Sequence, residues 1–117
     1  MREFLDPLAH PTTDVPVAVL PTHLPLKAPT VRCVVGYPLG ASQTLVKAAE
    51  ARLAVAMGAT EIEYVPRCDY LTDESALLSE FIAIKEAVSE EIPLGIRVAQ
   101  GEEAVARTLP AAWVTVA

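Results

Sequence analysis

An apolar run, Thr30 to Val35, leads straight into Gly36-Tyr-Pro-Leu-Gly-Ala-Ser42, and that loop leads into an alanine-rich helical pattern from Thr44 to Met57. A strand, a Gly/Pro loop and a helix start in this order form one half of a βαβ unit, and the same alternation is repeated downstream. Glu61 to Val65 reads as a strand and Asp73 to Ser89 as a helix, started by Thr72 or Asp73, with an apolar stripe of Leu77, Leu78, Phe81, Ile84 and Val88. Pro93 interrupts the pattern before a strand at Leu94 to Ala99. Gly101 to Leu109 reads as a short helix and Ala112 to Val116 as a closing strand. Helices between nearly all the later strands predict right-handed crossovers on a mostly parallel sheet.

Upstream the pattern is weaker. Val15 to Leu20 is a β-branched segment with Pro16 at its start, where a missing N–H is tolerable. Residues 1 to 14 read as irregular apart from one short extended piece, and Pro21, Pro25 and Pro29 make the following stretch a loop. One domain over residues 1–117 is expected, an irregular Pro-rich start over 1–29 followed by βα repeats over 30–117. Within the long helix the spacing of Leu45, Ala48, Ala49, Leu53 and Ala56 predicts a buried stripe, with Lys47, Glu50 and Arg52 on the opposite side. Ser42 or Thr44 is the expected N-cap, and Gly58 the C-terminal stop.

The balance of residues excludes several function classes. The chain has 117 residues, 52% hydrophobic and 21% charged, with a formal charge of −6. The nine Lys and Arg are scattered, leaving no basic stripe for a phosphate backbone, so nucleic acid is not an expected partner. The apolar runs fall far short of the roughly 20 residues of a membrane span, and the N-terminus has no signal-peptide core, so a cytoplasmic protein is expected. Cys33 and Cys68 have no CxxC spacing and read as reduced thiols rather than as a metal site or a disulfide. So much apolar residue on a small body predicts self-association, a homodimer in the simplest case.

Gly36-Tyr-Pro-Leu-Gly-Ala-Ser42, the helix that starts with Val46-Lys47 and ends at Gly58-Ala59, and the strand Glu61-Ile-Glu-Tyr64 together resemble the deoxyribose-phosphate aldolase family. Its members carry a GFPLGAS-like loop, a helix of the type VKxxEaxxAixxGA and a strand reading DEID. Ala18-Val-Leu-Pro-Thr-His-Leu-Pro-Leu26 is similar to the family's VCVNPxxVPLA segment, and Leu5-Asp6 with Pro11-Thr-Thr13 to its first strand. The resemblance implies an abbreviated TIM-barrel-like (β/α) fold, an incomplete barrel of five to six strands, and a lyase chemistry that needs no cofactor. That chemistry uses a strand lysine as Schiff-base nucleophile. Thr115 stands where the family's FIKTS strand has the reactive lysine, and Gly95 where its LKVII strand has a second one. The family's aspartate falls on Glu63, and Asp6 matches an active-site aspartate of the first strand. The loops that hold substrate phosphate in the family would lie beyond Ala117.

Alternate residues of a strand share a face. If Glu63 and Gly95 point inward as their family counterparts do, Arg97 points inward as well. Two readings follow: an internal Glu63 to Arg97 ion pair that satisfies two costly buried groups, or an anion pocket formed by Arg97 with Arg67 for a small phosphorylated ligand. His10 and His23, in Pro-rich loops, read as solvated or local hydrogen-bonders. The function expected is an aldolase-like protein without Schiff-base catalysis, acting as a binding or structural homologue. The alternatives are a lyase acting on a sugar phosphate through Glu63 and the arginines, and an interaction module that pairs with itself or with a full-length aldolase.

Overall fold

Strand formation at the β-branched runs and helix formation between them place six parallel strands side by side in chain order. The computed structural model describes residues 1–117. The strands are β1 (Arg2–Phe4), β2 (Val17–Val19), β3 (Val31–Val35), β4 (Glu61–Tyr64), β5 (Leu94–Val98) and β6 (Val114–Val116). Helix α1 (Thr44–Ala56) joins β3 to β4, α2 (Glu74–Ala87) joins β4 to β5, and the single turn α3 (Glu103–Ala106) joins β5 to β6. Every neighbouring pair of strands is parallel, which makes the sheet an incomplete β/α barrel. No helix is long and apolar enough to cross a membrane.

One face of the sheet carries Val17, Val19, Val31, Cys33, Val35, Ile62, Tyr64, Leu94, Ile96 and Val98, all buried in the main core. Against it lie Ala48, Ala51 and Ala54 of α1 and Phe81 and Ile84 of α2. The small alanines let α1 sit close to the strands, where larger side chains would hold it off. Burial pushes the Cys33 thiol up to about 12, so it is an inert apolar filler. The first two connections contain no α-helix, only a 3-10 turn at Pro21–His23. There the convex face is covered by loop residues such as Leu24, Leu26 and Ala28.

The short extended piece expected near the N-terminus is β1, a parallel strand in which Arg2 N donates to the Pro16 carbonyl. Several other local expectations are corrected. Gln43 is the residue before α1, with no side-chain cap, and neither Ser42 nor Thr44 caps it. Thr44 instead spends its hydroxyl on Glu80, at 2.7 Å. The larger correction is the orientation of α1. Its inner face is Lys47, Ala48, Ala51 and Ala54, while Leu45 and Leu53 point outward. The stripe picked from spacing, with which the true one shares Ala48, is the more apolar of the two, since the true one includes Lys47, so hydrophobicity alone pointed to the wrong face. The short helix is also trimmed to Glu103–Ala106, beginning where the Glu102 carboxylate accepts from Ala99 N and the Glu103 carboxylate from Gly101 N. In α2 the expectation of Asp73 as the cap is met, its carboxylate accepting from Ala76 N.

Candidate functional site

The residues of β1 to β6 that do not face the helices face one another across the concave side. Register sets the rows: Ala18, Arg32 and Glu61 lie level, and so do Val34, Glu63 and Gly95, with Arg97 level with Thr115. The sheet curls enough for Arg97 of β5 to reach Glu3 of β1. Its Nη1 and Nη2 donate to the two Glu3 carboxylate oxygens at 2.9 and 2.8 Å. A bidentate pair of this kind is among the stronger charge-assisted contacts.

Glu63 is the centre of the cluster and is fully buried. Its Oε2 accepts from Arg97 Nη1 at 2.8 Å, and its Oε1 from the Thr115 hydroxyl at 2.6 Å and the Trp113 indole N–H at 2.7 Å. Arg32 Nη1 approaches Oε1 at 3.5 Å while its Nε donates to Glu61 at 2.8 Å. The Arg32 guanidinium lies 3.7 Å from the centre of the Trp113 ring, a close cation–π stack. That ring occupies the space above Gly95, where any Cβ would collide with the indole. A buried carboxylate is tolerable only with such partners, because an unpaired one costs several kcal/mol.

The electrostatics follow the same contacts. The hydrogen bond from Arg97 holds the Glu3 carboxyl below its usual range, against the opposing effect of partial burial. Arg97 is correspondingly held above the ordinary arginine value by its bond to Glu3, then by Glu63. Arg97 Nε is buried with no protein partner. Beside Arg97, at the C-terminal ends of the strands, lies a cleft of about 240 Å³ lined by Tyr37, Leu39, Val65, Cys68 and Glu102 among others. This is the end of a β/α sheet at which ligands are generally held.

The structure brings Glu63 and Arg97 into direct contact and leaves Arg67 apart. Arg67 is engaged by Asp69, Nε to Oδ1 at 3.1 Å and Nη2 to Oδ2 at 2.8 Å, and by Gln43 at 2.9 Å. That pairing raises Arg67 and lowers Asp69. Asp6 is exposed and opens a turn, its carbonyl accepting from Ala9 N and its carboxylate from Leu8 N. Its carbonyl lies 3.0 Å from Nε2 of His23, whose Nδ1 accepts from Leu20 N.

The three lysines all lie off the concave face. Lys27 is exposed. Lys85 caps the end of α2, donating to the Glu90 and Ile92 carbonyls at 3.3 and 2.7 Å. Lys47 is fully buried on the helix side of the sheet, paired with buried Glu80 at 3.2 Å. Glu80 also accepts from the Thr44 hydroxyl and from Arg67 N, which ties α1 to α2 and to the loop after β4. Burial holds the Lys47 ammonium below the normal lysine range, with Glu80 opposing.

Reading the sequence did not single out Glu3, Arg32 or Trp113. A usable signal existed for two of them. Arg32 interrupts an otherwise apolar strand at the position that shares a face with Val34, and Trp113 precedes Thr115 by one strand period. Glu3 had no such signal, since three residues are too few to show alternation.

Comparison with known proteins places this arrangement in context. No family model matches the chain. It is 39% identical over 84 residues to a deoxyribose-phosphate aldolase of Nocardia farcinica, covering 68% of this chain and 38% of that protein. It is 46% identical over 66 residues to the deoxyribose-phosphate aldolase of Corynebacterium glutamicum, covering 55% of this chain and 30% of that one. The chain therefore spans well under half the length of these curated relatives. Among solved structures, the aldolase QR15 superposes with a TM-score of 0.65 at 28% identity, over 72% of this chain and 41% of that one. A chain from Coccidioides immitis assigned to the deoxyribose-phosphate aldolases superposes with a TM-score of 0.72 over 87% of this chain and 47% of its own, and at 22% identity it shows the shared fold.

Proposed function

Since this chain is a homologue of the deoxyribose-phosphate aldolases over part of their length, we propose that it has kept the scaffold of that family without Schiff-base catalysis, and that it serves as a binding or structural homologue. The observation that carries this reading is the state of the concave face. Where the resemblance puts the nucleophilic lysine, Thr115 donates its hydroxyl to Glu63, and the place of a second lysine is Gly95, roofed by Trp113. A Schiff base requires a primary amine that can lose its proton and reach a carbonyl carbon. Lys47 has a lowered affinity for its proton, which such an amine needs, but it lies behind the sheet and is held by Glu80.

Against a lyase acting through Glu63 stands its full burial, with both carboxylate oxygens engaged by Arg97, Trp113 and Thr115. A general base must come within reach of the substrate proton. A phosphorylated ligand would meet two arginines that each carry carboxylate partners, Asp69 on Arg67 and Glu3 with Glu63 on Arg97. The reading is tested by a coupled retro-aldol assay with deoxyribose 5-phosphate on the purified chain. It expects no turnover above a buffer control. Aldehyde release that is abolished by Lys47→Met or by Glu63→Gln would overturn it.

A further inference from the structure

The Arg97 side chain lines the cleft at the C-terminal ends of the strands, and one of its nitrogens is unspent. Arg97 is 7% exposed, Nη1 and Nη2 are taken by Glu3 and Glu63, and Nε is buried with no protein partner. A buried donor left unmet is costly, so a ligand that brings an acceptor into the cleft gains by satisfying it. We propose that the cleft binds a small uncharged amide, its carbonyl oxygen on Arg97 Nε and its N–H on the Glu102 carboxylate. Such a site rests on the reading of the chain as a binding homologue without Schiff-base catalysis, and gives that role a ligand class.

Charge selects against an anion. Arg32 and Arg97 share one ion-pair network with Glu3, Glu61 and Glu63, two positive groups against three negative, a formal net of −1. Glu102, half-buried in the cleft wall, adds another negative group, and the chain as a whole carries −6. A phosphate or carboxylate would therefore enter a field of its own sign. An alkylammonium cation has no lone pair to offer Nε. An uncharged amide answers both polar groups. Glu102 gives one oxygen to Ala99 N at 2.8 Å and its second has no protein donor, so the wall offers an acceptor as well as a donor.

The rest of the lining is apolar, with Leu39, Val65, Pro66, Leu71 and Val98 among it. The Tyr37 ring closes one side, its centre 5.8 Å from the Arg97 guanidinium carbon. About 240 Å³ is below the roughly 300–1,000 Å³ of drug-sized sites, which restricts the ligand to a compact body. The two loops that form the wall are held together before any ligand arrives. Gly40 has φ +63°, and a Cβ there would collide with the carbonyls of Val65 and Pro66. Its N–H donates to the Gly36 carbonyl at 2.7 Å. The loop after β3 is thus pressed directly on the loop after β4, and little ordering remains to be done on binding.

Titration of the ¹⁵N-labelled chain with benzamide, benzoate and inorganic phosphate, followed by amide chemical shifts, tests the site without any variant. Benzamide and benzoate share a ring and differ in charge. Benzamide is expected to move the amides of Leu39, Cys68, Val98 and Ala99 with millimolar half-saturation, as befits so small a ligand. Benzoate is expected to bind roughly tenfold more weakly, and phosphate to leave these amides unmoved. Two variants localise the effect. Ala99→Trp, at an exposed lining position, fills the cleft and is expected to abolish the benzamide shifts. Glu102→Gln keeps an acceptor for Ala99 N and is expected to narrow the preference for benzamide over benzoate. Shifts absent with benzamide, equally strong with benzoate or phosphate, or undiminished in a folded Ala99→Trp protein would each overturn the amide site. A chain that neither binds benzamide nor releases aldehyde would overturn this site and leave the non-catalytic reading standing, whereas turnover would overturn that reading itself.

Discussion

At the residue scale the concave cluster behaves as a unit, because Glu63 has no exposure and depends on its partners. Arg97→Met removes its strongest partner and leaves Glu3 unpaired as well. By the usual cost of breaking a buried pair, about 3–5 kcal/mol of stability is lost, measurable as a fall in the urea midpoint. Gly95→Ala forces Trp113 from its seat and breaks the indole bond to Glu63. As this is the chain's one tryptophan, its fluorescence maximum is expected to shift to the red in the folded protein, and an unshifted spectrum would mean the indole was not seated there. Glu3 supplies a pH dependence of known sign. Its carboxyl is lowered in the fold, so its contribution is fully present above the ordinary carboxylate value and is lost as pH falls through the lowered one. Glu3→Gln should therefore flatten the acid limb of a stability profile and leave the neutral region less changed in slope. The Glu63 and Arg97 contact was legible from strand alternation once the family resemblance had set which face points inward. The participation of Glu3 was not, because nothing local in Arg2–Phe4 reveals that a curled sheet will bring it opposite β5.

At the element scale, Lys47 and Glu80 hold α1 and α2 together at the end where the loops after β3 and β4 meet. Each single substitution, Lys47→Met or Glu80→Met, is expected to cost several kcal/mol by leaving a buried charge alone. The double substitution should cost less than their sum, with a coupling of roughly 1–3 kcal/mol, read from a double-mutant cycle of thermal or urea unfolding. Additive losses would mean that the two groups do not interact. Lys47 was placed on the solvent side by helical spacing because Leu45, Ala49, Leu53 and Ala56 form a more apolar stripe than the true inner one. Tertiary packing, which prefers the alanines next to the sheet, decided the rotation. α2 was easier to read: its cap at Asp73 and its stripe Leu77, Phe81, Ile84 and Val88 agree with each other, and only Leu78 of the expected set turns outward.

At the scale of the whole molecule, the alternation of strands and helices from Thr30 onward was enough to foresee a parallel β/α sheet. The loop Gly36 to Ser42 was specific enough to point to the aldolase scaffold. Less legible was how the concave face is filled. The six strands carry a network running from Glu3 through Arg97 and Glu63 to Thr115, Trp113 and Arg32, with the cleft beside Arg97 at the C-terminal ends of the strands. If this network has replaced the family's covalent chemistry, no amine within the chain should form an imine with the family's substrate. Incubation with deoxyribose 5-phosphate followed by borohydride reduction and intact-mass spectrometry reads this in one step. An unchanged protein mass is predicted. A reduced adduct that peptide mapping places on Lys47 would contradict it.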